Sequence, residues 1–293
     1  MRPQLSLIIP FYGTADKKML ERCLASIYCQ DLKTEDYEII LADDQGKGLG
    51  GARNNGIRKA QGEYILFIDA DDYLFPNALS RCISLLTHRP DILSFGYQKV
   101  SHSNESPPKN KYEQYKMYPS GAAFMNEHNF MGTAWRHLFL REWLLKYQLT
   151  FSENTFHEDE AFMAKAYFHA QTTIITDWLV YAYYQCPQSI LHRQDNICRI
   201  KRIQDFRLIL TSLQTYLKEH AEASQLQKQA LQRRIHFLTI DYIIQLKRNH
   251  CSLSTYYQVI NELKKNGLLP LPLKKYSWKY SIARVIINLF ASL

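Results

Sequence analysis

GARNNGIRKAQGEYILFIDADD (Gly51–Asp72) is the stretch that decides the fold. Its core, Tyr64–Ile68, is an unbroken run of apolar and β-forming residues, the pattern of a strand buried on both faces. Three carboxylates, Asp69, Asp71 and Asp72, follow at once. Ahead of the run, Leu49–Ala60 has helical spacing and is entered through glycines. A helix leading into a buried strand that ends in acids is a piece of an α/β sheet whose ligand crevice lies beyond the strand's carboxyl end.

Working outward, LSLIIP (Leu5–Pro10), YEIILA (Tyr37–Ala42) and Asp91–Val100 read as further strands, and Met19–Tyr28 and Asn77–Leu86 as helices. The alternation predicts a doubly wound, mostly parallel sheet flanked by helices. Three strand ends, Pro10–Tyr12, Asp43–Asp44 and Asp69–Asp72, then meet at one crevice. Past a polar loop at Ser101–Lys111 and a mixed section, His157–Ala170 reads as a helix and Ile174–Tyr184 as an edge strand. From about Asn196 the pattern is long helices. The expected organisation is an α/β domain over 1–194 and a basic helical region over 195–293.

Charge follows the same division. Residues 1–194 carry 20 Lys and Arg against 22 Asp and Glu, whereas 195–293 carry 16 against 6. A basic region suits anionic lipid, nucleic acid or a solvated face. No aromatic–basic interleaving or nucleic-acid module accompanies it, so no nucleic-acid partner is expected. The six cysteines lack C-x-x-C spacing, which argues against a zinc module or disulfide scaffold. No signal peptide and no spanning segment is read, and the expected location is cytoplasmic.

Two readings compete for the glycines. Gly46, Gly48 and Gly51 spell G-x-G-x-x-G, and Asp69 stands about twenty residues beyond, as in a dinucleotide-dependent oxidoreductase. Against this, Asp43–Asp44 separates the strand from the first glycine. The next strand also ends in three carboxylates where a dinucleotide site needs one. Asp69-Ala-Asp71 offers hard oxygens suited to Mn2+ or Mg2+ shared with substrate phosphates. A nucleotide- or membrane-binding scaffold without catalysis is a third reading.

With these motifs in order, residues 4 to about 192 resemble a family 2 glycosyltransferase of the GT-A fold. LSLIIPFYG resembles the family's first strand and turn, IILADD its second strand, the stretch quoted above its Ala-Arg-Asn-x-Gly and D-x-D run, and FSENTFHEDEAF its Glu-Asp motif. The resemblance implies an inverting transfer from a nucleotide-sugar donor, a UDP-sugar, to a glycan or lipid-linked hydroxyl. It places Pro10, Tyr12, Asp43 and Asp44 around the donor nucleotide, with Tyr12 and Asp43 holding its base and turn capping an equal expectation for Asp44. Arg53 and Asn54 would orient the phosphates, Asp69 would meet ribose or metal, and Asp71 would bind the metal. Asp159 would be the base that takes the acceptor's proton. Glu158, Trp135, His192 and Arg193 would lie on the acceptor side, although core packing suits Trp135 and a solvated surface suits the last two.

The end of the chain, LKKYSWKYSIARVIINLFASL, places Trp278, Ile282, Val285, Ile286, Leu289, Phe290 and Leu293 close to one helical face, with Lys274, Lys275, Lys279 and Arg284 nearby. Two outcomes are open: the face packs on the preceding helices, or residues 274–293 make peripheral contact with an anionic membrane on its inner face.

Overall fold

In the computed structural model, the described residues are 2–11, 16–101, 114–185 and 196–292. Contacts divide the chain into two compact units, Met1–Gly121 with Gly132–Arg193 and Ala122–Met131 with Gln194–Leu293.

The first unit is built on a mixed sheet. Its strands are β1 (Leu5–Pro10), β2 (Tyr37–Ala42), β3 (Tyr64–Phe67), β4 (Tyr73–Leu74), β5 (Ile92–Val100), β6 (Tyr115–Tyr118), β7 (His137–Leu140) and β8 (Thr173–Tyr184). They lie in the order β2-β1-β3-β7-β5-β8-β4, with β6 also paired to β8. β1 runs parallel to β2 and β3, and β5 parallel to β8, while β7 is antiparallel to both β3 and β5. Leu5, Leu7, Ile8, Ile9, Ile65, Leu66 and Phe67 have no exposed surface, the consequence of helices covering both sheet faces.

Two expectations need correction. Ile174–Tyr184 is not an edge strand: β5 pairs along one side of β8, and β6 and β4 cover separate parts of the other. The mixed section also holds β7, which is inserted between β3 and β5. This insertion has a functional consequence. Because β7 is antiparallel, the segment just before it, Thr133–Arg136, lies at the edge where β3 and β8 end.

The helices of this unit are α1 (Lys17–Tyr28), α2 (Gly48–Lys59), α3 (Leu79–Leu85), α5 (Arg141–Lys146) and α6 (Glu158–His169); α4 (Gly121–Glu127) opens the segment that joins the second unit. Glycines let α2 sit close to its neighbours. A Cβ on Gly56 would lie 2.3 Å from Ile8 Cγ2 in β1, and one on Gly50 would lie 2.1 Å from the Ser152 carbonyl oxygen.

The second unit contains α7 (Asn196–Glu219), α8 (Gln225–Arg248), α9 (Leu253–Lys265) and α10 (Trp278–Ser292). Part of its positive charge is structural. Arg233 donates to the carbonyls of Met125 and His128 (3.1 and 2.9 Å), and Arg234 donates to that of Phe130 (2.8 Å). Among the described residues no helix is long and apolar enough to cross a membrane.

Gly56→Ala should shift the denaturant midpoint downward by about 1–3 kcal/mol of stability, because the new methyl meets a packed strand. Gly46→Ala, at φ +74° but with no neighbouring heavy atom within 4 Å, meets only backbone strain. Its expected cost is about 1 kcal/mol. Equilibrium unfolding of the two variants in parallel checks the ranking.

Candidate active site

The loop after β2 is shaped by short-range polar contacts. Asp44 Oδ1 accepts from the Gly46 N–H and Oδ2 from the Gly48 N–H, both at 3.2 Å. It therefore caps the turn into α2 and satisfies donors that the helix start leaves open. Gly46 and Gly48 take φ of +74° and +69°, the left-handed region that the turn requires. Gly51 closes the turn from behind, where a Cβ would stand 2.3 Å from Lys47 Cβ. The glycine pattern is thus accounted for by contacts within the protein. Asp43 is 61% exposed. The buried Asn55 holds it, donating from Nδ2 to the Asp43 carboxylate (2.5 Å) and carbonyl (3.1 Å).

Arg53 extends from the first turns of α2 into a cluster of acids. Its side chain is 1% exposed. Nη1 donates to Glu158 Oε1 (2.8 Å) and Asp159 Oδ1 (2.5 Å), and Nη2 donates to Asp69 Oδ1 (3.0 Å). Arg53 and Asn54, expected to orient phosphates, are engaged by protein groups in this structure. The guanidinium is occupied by three carboxylates. Asn54 is buried and engaged at both ends of its amide, donating to the Phe151 carbonyl (2.9 Å) and accepting from the Phe151 N–H (2.8 Å). That pair of bonds fixes Phe151, whose ring lies 5.4 Å from the Arg53 guanidinium carbon.

Glu158, Asp159 and Glu160 form the first turn of α6, where the free N–H groups favour negative charge. The chain enters through His157 at φ 63°, a left-handed conformation that non-glycine residues seldom adopt. Asp159 Oδ2 also accepts from the Ala134 N–H at 3.0 Å. This bond ties α6 to the segment before β7. Asp159 is pushed up to about 8, first by removal from water and then by the charges of Glu158 and Asp69, against the opposing pull of Arg53. Glu158 is raised for the same leading reason.

The D-x-D segment divides by role. Asp69 faces Arg53 through its side chain, and its N–H donates to the Tyr181 hydroxyl at 3.0 Å. That hydroxyl donates to Asp72 Oδ2 (2.8 Å), while Asp72 Oδ1 accepts from the Tyr184 N–H (2.7 Å). Asp72 is therefore the acid that fastens the turn to β8. Asp71 is pushed up to about 6 by desolvation and by Asp69. Arg22 donates to the Asp71 carbonyl and lies 4.3 Å from the centre of the Tyr184 ring.

Among the described residues, no three His, Cys, Asp or Glu side chains form a ready metal cage. A magnesium or manganese site completed by substrate phosphates needs only one or two carboxylates. Asp69 and Asp71 provide that number. Five carboxylates, Asp69, Asp71, Asp72, Glu158 and Asp159, stand near two arginines, Arg22 and Arg53; burial first, and then neighbouring negative charge, raises the pKa of Asp71, Asp72, Glu158 and Asp159. The donor set fits a divalent cation.

Trp135 is 5% exposed and stacks with Tyr181 (4.5 Å) and Tyr183 (5.5 Å). It is a core residue supporting the site, the packing role that the sequence suited to it. Its neighbours Tyr97 and Tyr183 are the half-buried rings of this group. Pro10 is buried at the end of β1, opposite Ala42. Tyr12, His192 and Arg193 lie outside the described residues. A cavity of about 280 Å³ lined by Asp91, Trp143, Lys146 and Tyr147 lies elsewhere, at the amino end of β5.

A site at the carboxyl edge of this sheet, built from a D-x-D and an acidic helix start, defines a GT-A type fold. Solved structures share that fold. Staphylococcus aureus TarS 1-349 in complex with UDP-GlcNAc aligns with a TM-score of 0.62 at 17% identity, over 98% of this chain and 81% of that one. The mannosyltransferase PcManGT from Pyrobaculum calidifontis, in complex with GDP-Man and Mn2+, aligns at 0.54 and 16% identity, over 100% of this chain and 89% of that one. Within this chain, residues 44–148 match the family model described as glycosyl transferase family 2. A relative from Bacillus subtilis (strain 168), described as "Uncharacterized glycosyltransferase EpsJ", is 29% identical over 65% of this chain. The chain spans 63% of that relative's length.

Asp71 and Asp159 set the sign of a pH effect on stability. Their folded pKa values, about 6 and about 8, lie above the unfolded value. The folded chain therefore holds protons that the unfolded chain has lost. Stability then falls as pH rises through those folded values. Without metal, the melting temperature should drop by roughly 3 °C between pH 7 and 8.5. Asp159→Asn should flatten this drop, and Mn2+ should oppose it at the alkaline end; differential scanning calorimetry reads all three.

Proposed function

We propose that this chain transfers a sugar, with inversion, from a nucleotide-diphosphate donor to a hydroxyl of a glycan or lipid-linked saccharide. The observation that carries the reading is the single cluster in which Arg53 joins Asp69 of the D-x-D to Glu158 and Asp159 of α6. Donor-side and acceptor-side acids are thereby held in one fixed arrangement, which is what a single displacement needs.

In this reading Asp159 takes the proton of the acceptor hydroxyl. A base with a pKa near the working pH combines a useful fraction of its ionised form with a strong enough pull on the proton. Burial supplies the upward push, and Arg53 keeps the carboxylate oriented. Glu158 holds the other side of the guanidinium and so positions Asp159. Asp43 meets the base of the nucleotide, its exposed carboxylate aimed by Asn55, and Pro10 lines the same end. Asp71, with Asp69, would hold Mn2+ or Mg2+, which supplies positive charge against the departing diphosphate. Excluding water from the partly buried cluster strengthens these interactions. No covalent nucleophile is required.

The donor proposed is a UDP-sugar, a reading supported by the TarS complex with UDP-GlcNAc, and the metal is supported by the PcManGT complex with GDP-Man and Mn2+. A nucleotide-sugar donor places the work in the cytoplasm. A lipid-linked acceptor would bring the enzyme to the membrane's inner face.

Titration calorimetry should show UDP binding that needs Mn2+ and is lost in Asp71→Ala. Asp159→Asn should keep UDP binding within about threefold and lose at least about a hundredfold in turnover, the scale of a missing general base. Wild-type kcat/KM should rise with pH along a limb at or below about 8. Metal-independent NAD binding in place of UDP binding would favour the oxidoreductase reading.

A further inference from the structure

The terminal helix α10 has two opposed faces. Tyr280, Arg284, Ile287 and Asn288 face the second unit's interior. The Tyr280 hydroxyl donates to Asp241 (2.8 Å), and its ring stacks on Phe237 at 4.4 Å. Arg284 donates to the Lys274 carbonyl (2.5 Å). Asn288 exchanges two 2.8 Å hydrogen bonds with the Leu271 backbone, and Ile287 is 5% exposed. The helix is thus fastened by its polar side.

The apolar stripe points the other way. Trp278, Ile282, Val285, Ile286, Leu289 and Phe290 are 71, 53, 49, 49, 63 and 64% exposed. At 100° per residue they occupy one arc opposite the fastened face. Leu273, just before the helix, is 89% exposed. Fifteen helical residues present this surface over about 22 Å. Packing on neighbouring helices therefore does not account for the apolar face, because the polar face does that packing.

We infer that the outer face of α10 is a docking surface for an anionic lipid bilayer, with the apolar stripe lying in the interface and the adjoining lysines against the headgroups. Charge selects this occupant. From Asn266 to Leu293 there is no acidic residue, and Lys274, Lys275 and Lys279 stand beside the outer face. Lys275 and Lys279 are exposed, and the Lys279 ammonium lies 5.4 Å from the Trp278 ring centre. Tryptophan at one end of such a stripe suits the boundary between headgroups and acyl chains. A second copy of the helix is a poor occupant, since a two-fold pairing would bring lysines together with no carboxylate between them. This inference rests on α10 alone and stands apart from the transferase reading.

The test sediments the full chain with vesicles of phosphatidylcholine and with vesicles of equal parts phosphatidylcholine and phosphatidylglycerol. Binding to the mixed vesicles should be at least about tenfold stronger and should weaken as salt rises. The exposed double substitution Leu289→Glu with Phe290→Glu should lower partitioning at least about tenfold. Its circular dichroism and UDP binding should stay unchanged. Replacing Lys274, Lys275 and Lys279 by Gln should remove the preference for phosphatidylglycerol. Brominated acyl chains should quench the emission of Trp278, because Trp135, Trp143 and Trp178 are buried, and Trp278→Phe should abolish that quenching. Equal partitioning of wild type and the double variant, or no vesicle binding at all, would overturn the inference. So would a wild-type dimer that the double variant turns into a monomer without vesicle binding.

Discussion

A buried guanidinium shared by three carboxylates is the constraint on which the first unit depends. Arg53 has 1% of its side chain exposed, and its partners Glu158 and Asp159 lie more than a hundred residues away in sequence. A buried charge without partners is costly, so the helix that carries Arg53 and the helix start that carries the acids must arrive together. The surrounding packing follows from this need. Gly50 and Gly56 let α2 approach the 151–152 backbone and β1 within distances no larger residue allows. Asn54, next in sequence to Arg53, fastens α2 to Phe151 through both ends of its amide.

The same cluster explains why the acids are chemically useful. Three carboxylates around one arginine leave negative charge uncompensated, and desolvation moves Asp159 and Asp71 upward. A proton on one of the acids, or a cation beside them, relieves the imbalance. In the proposed reading, the site uses this imbalance to exchange protons and to accept a metal with its phosphates. The inserted antiparallel strand β7 completes the arrangement, because it brings the Ala134 N–H to Asp159 and Trp135 under Tyr181 and Tyr183.

Much of this was legible in the sequence where the physics is local. Strands β1, β2 and β3 are short apolar runs bounded by breakers, and their ends named the crevice. The acids of the D-x-D and of α6 stood out for the same reason. What escaped was non-local. Nothing near Arg53 in sequence announces its three carboxylate partners. Strand β7 starts with His137, a polar residue made acceptable in the core by the Thr133 carbonyl and the Tyr167 hydroxyl. Strand β6 is mostly exposed and shows no alternation. Without β6 and β4 to cover it, β8 reads as an edge. The terminal helix shows the converse case: periodicity disclosed its apolar stripe, but only the contacts of Tyr280, Arg284 and Asn288 reveal which face turns inward.

The central claim is that Arg53 couples the two halves of the reaction centre through Asp159. A double-mutant cycle in unfolding free energy, using Arg53→Met, Asp159→Asn and the pair, measures that coupling directly. The account predicts a coupling of about 2 kcal/mol or more, with the double variant more stable than the sum of its single losses, as removing both charges spares the cost of leaving one unpaired. Additive losses within about 0.5 kcal/mol would contradict it.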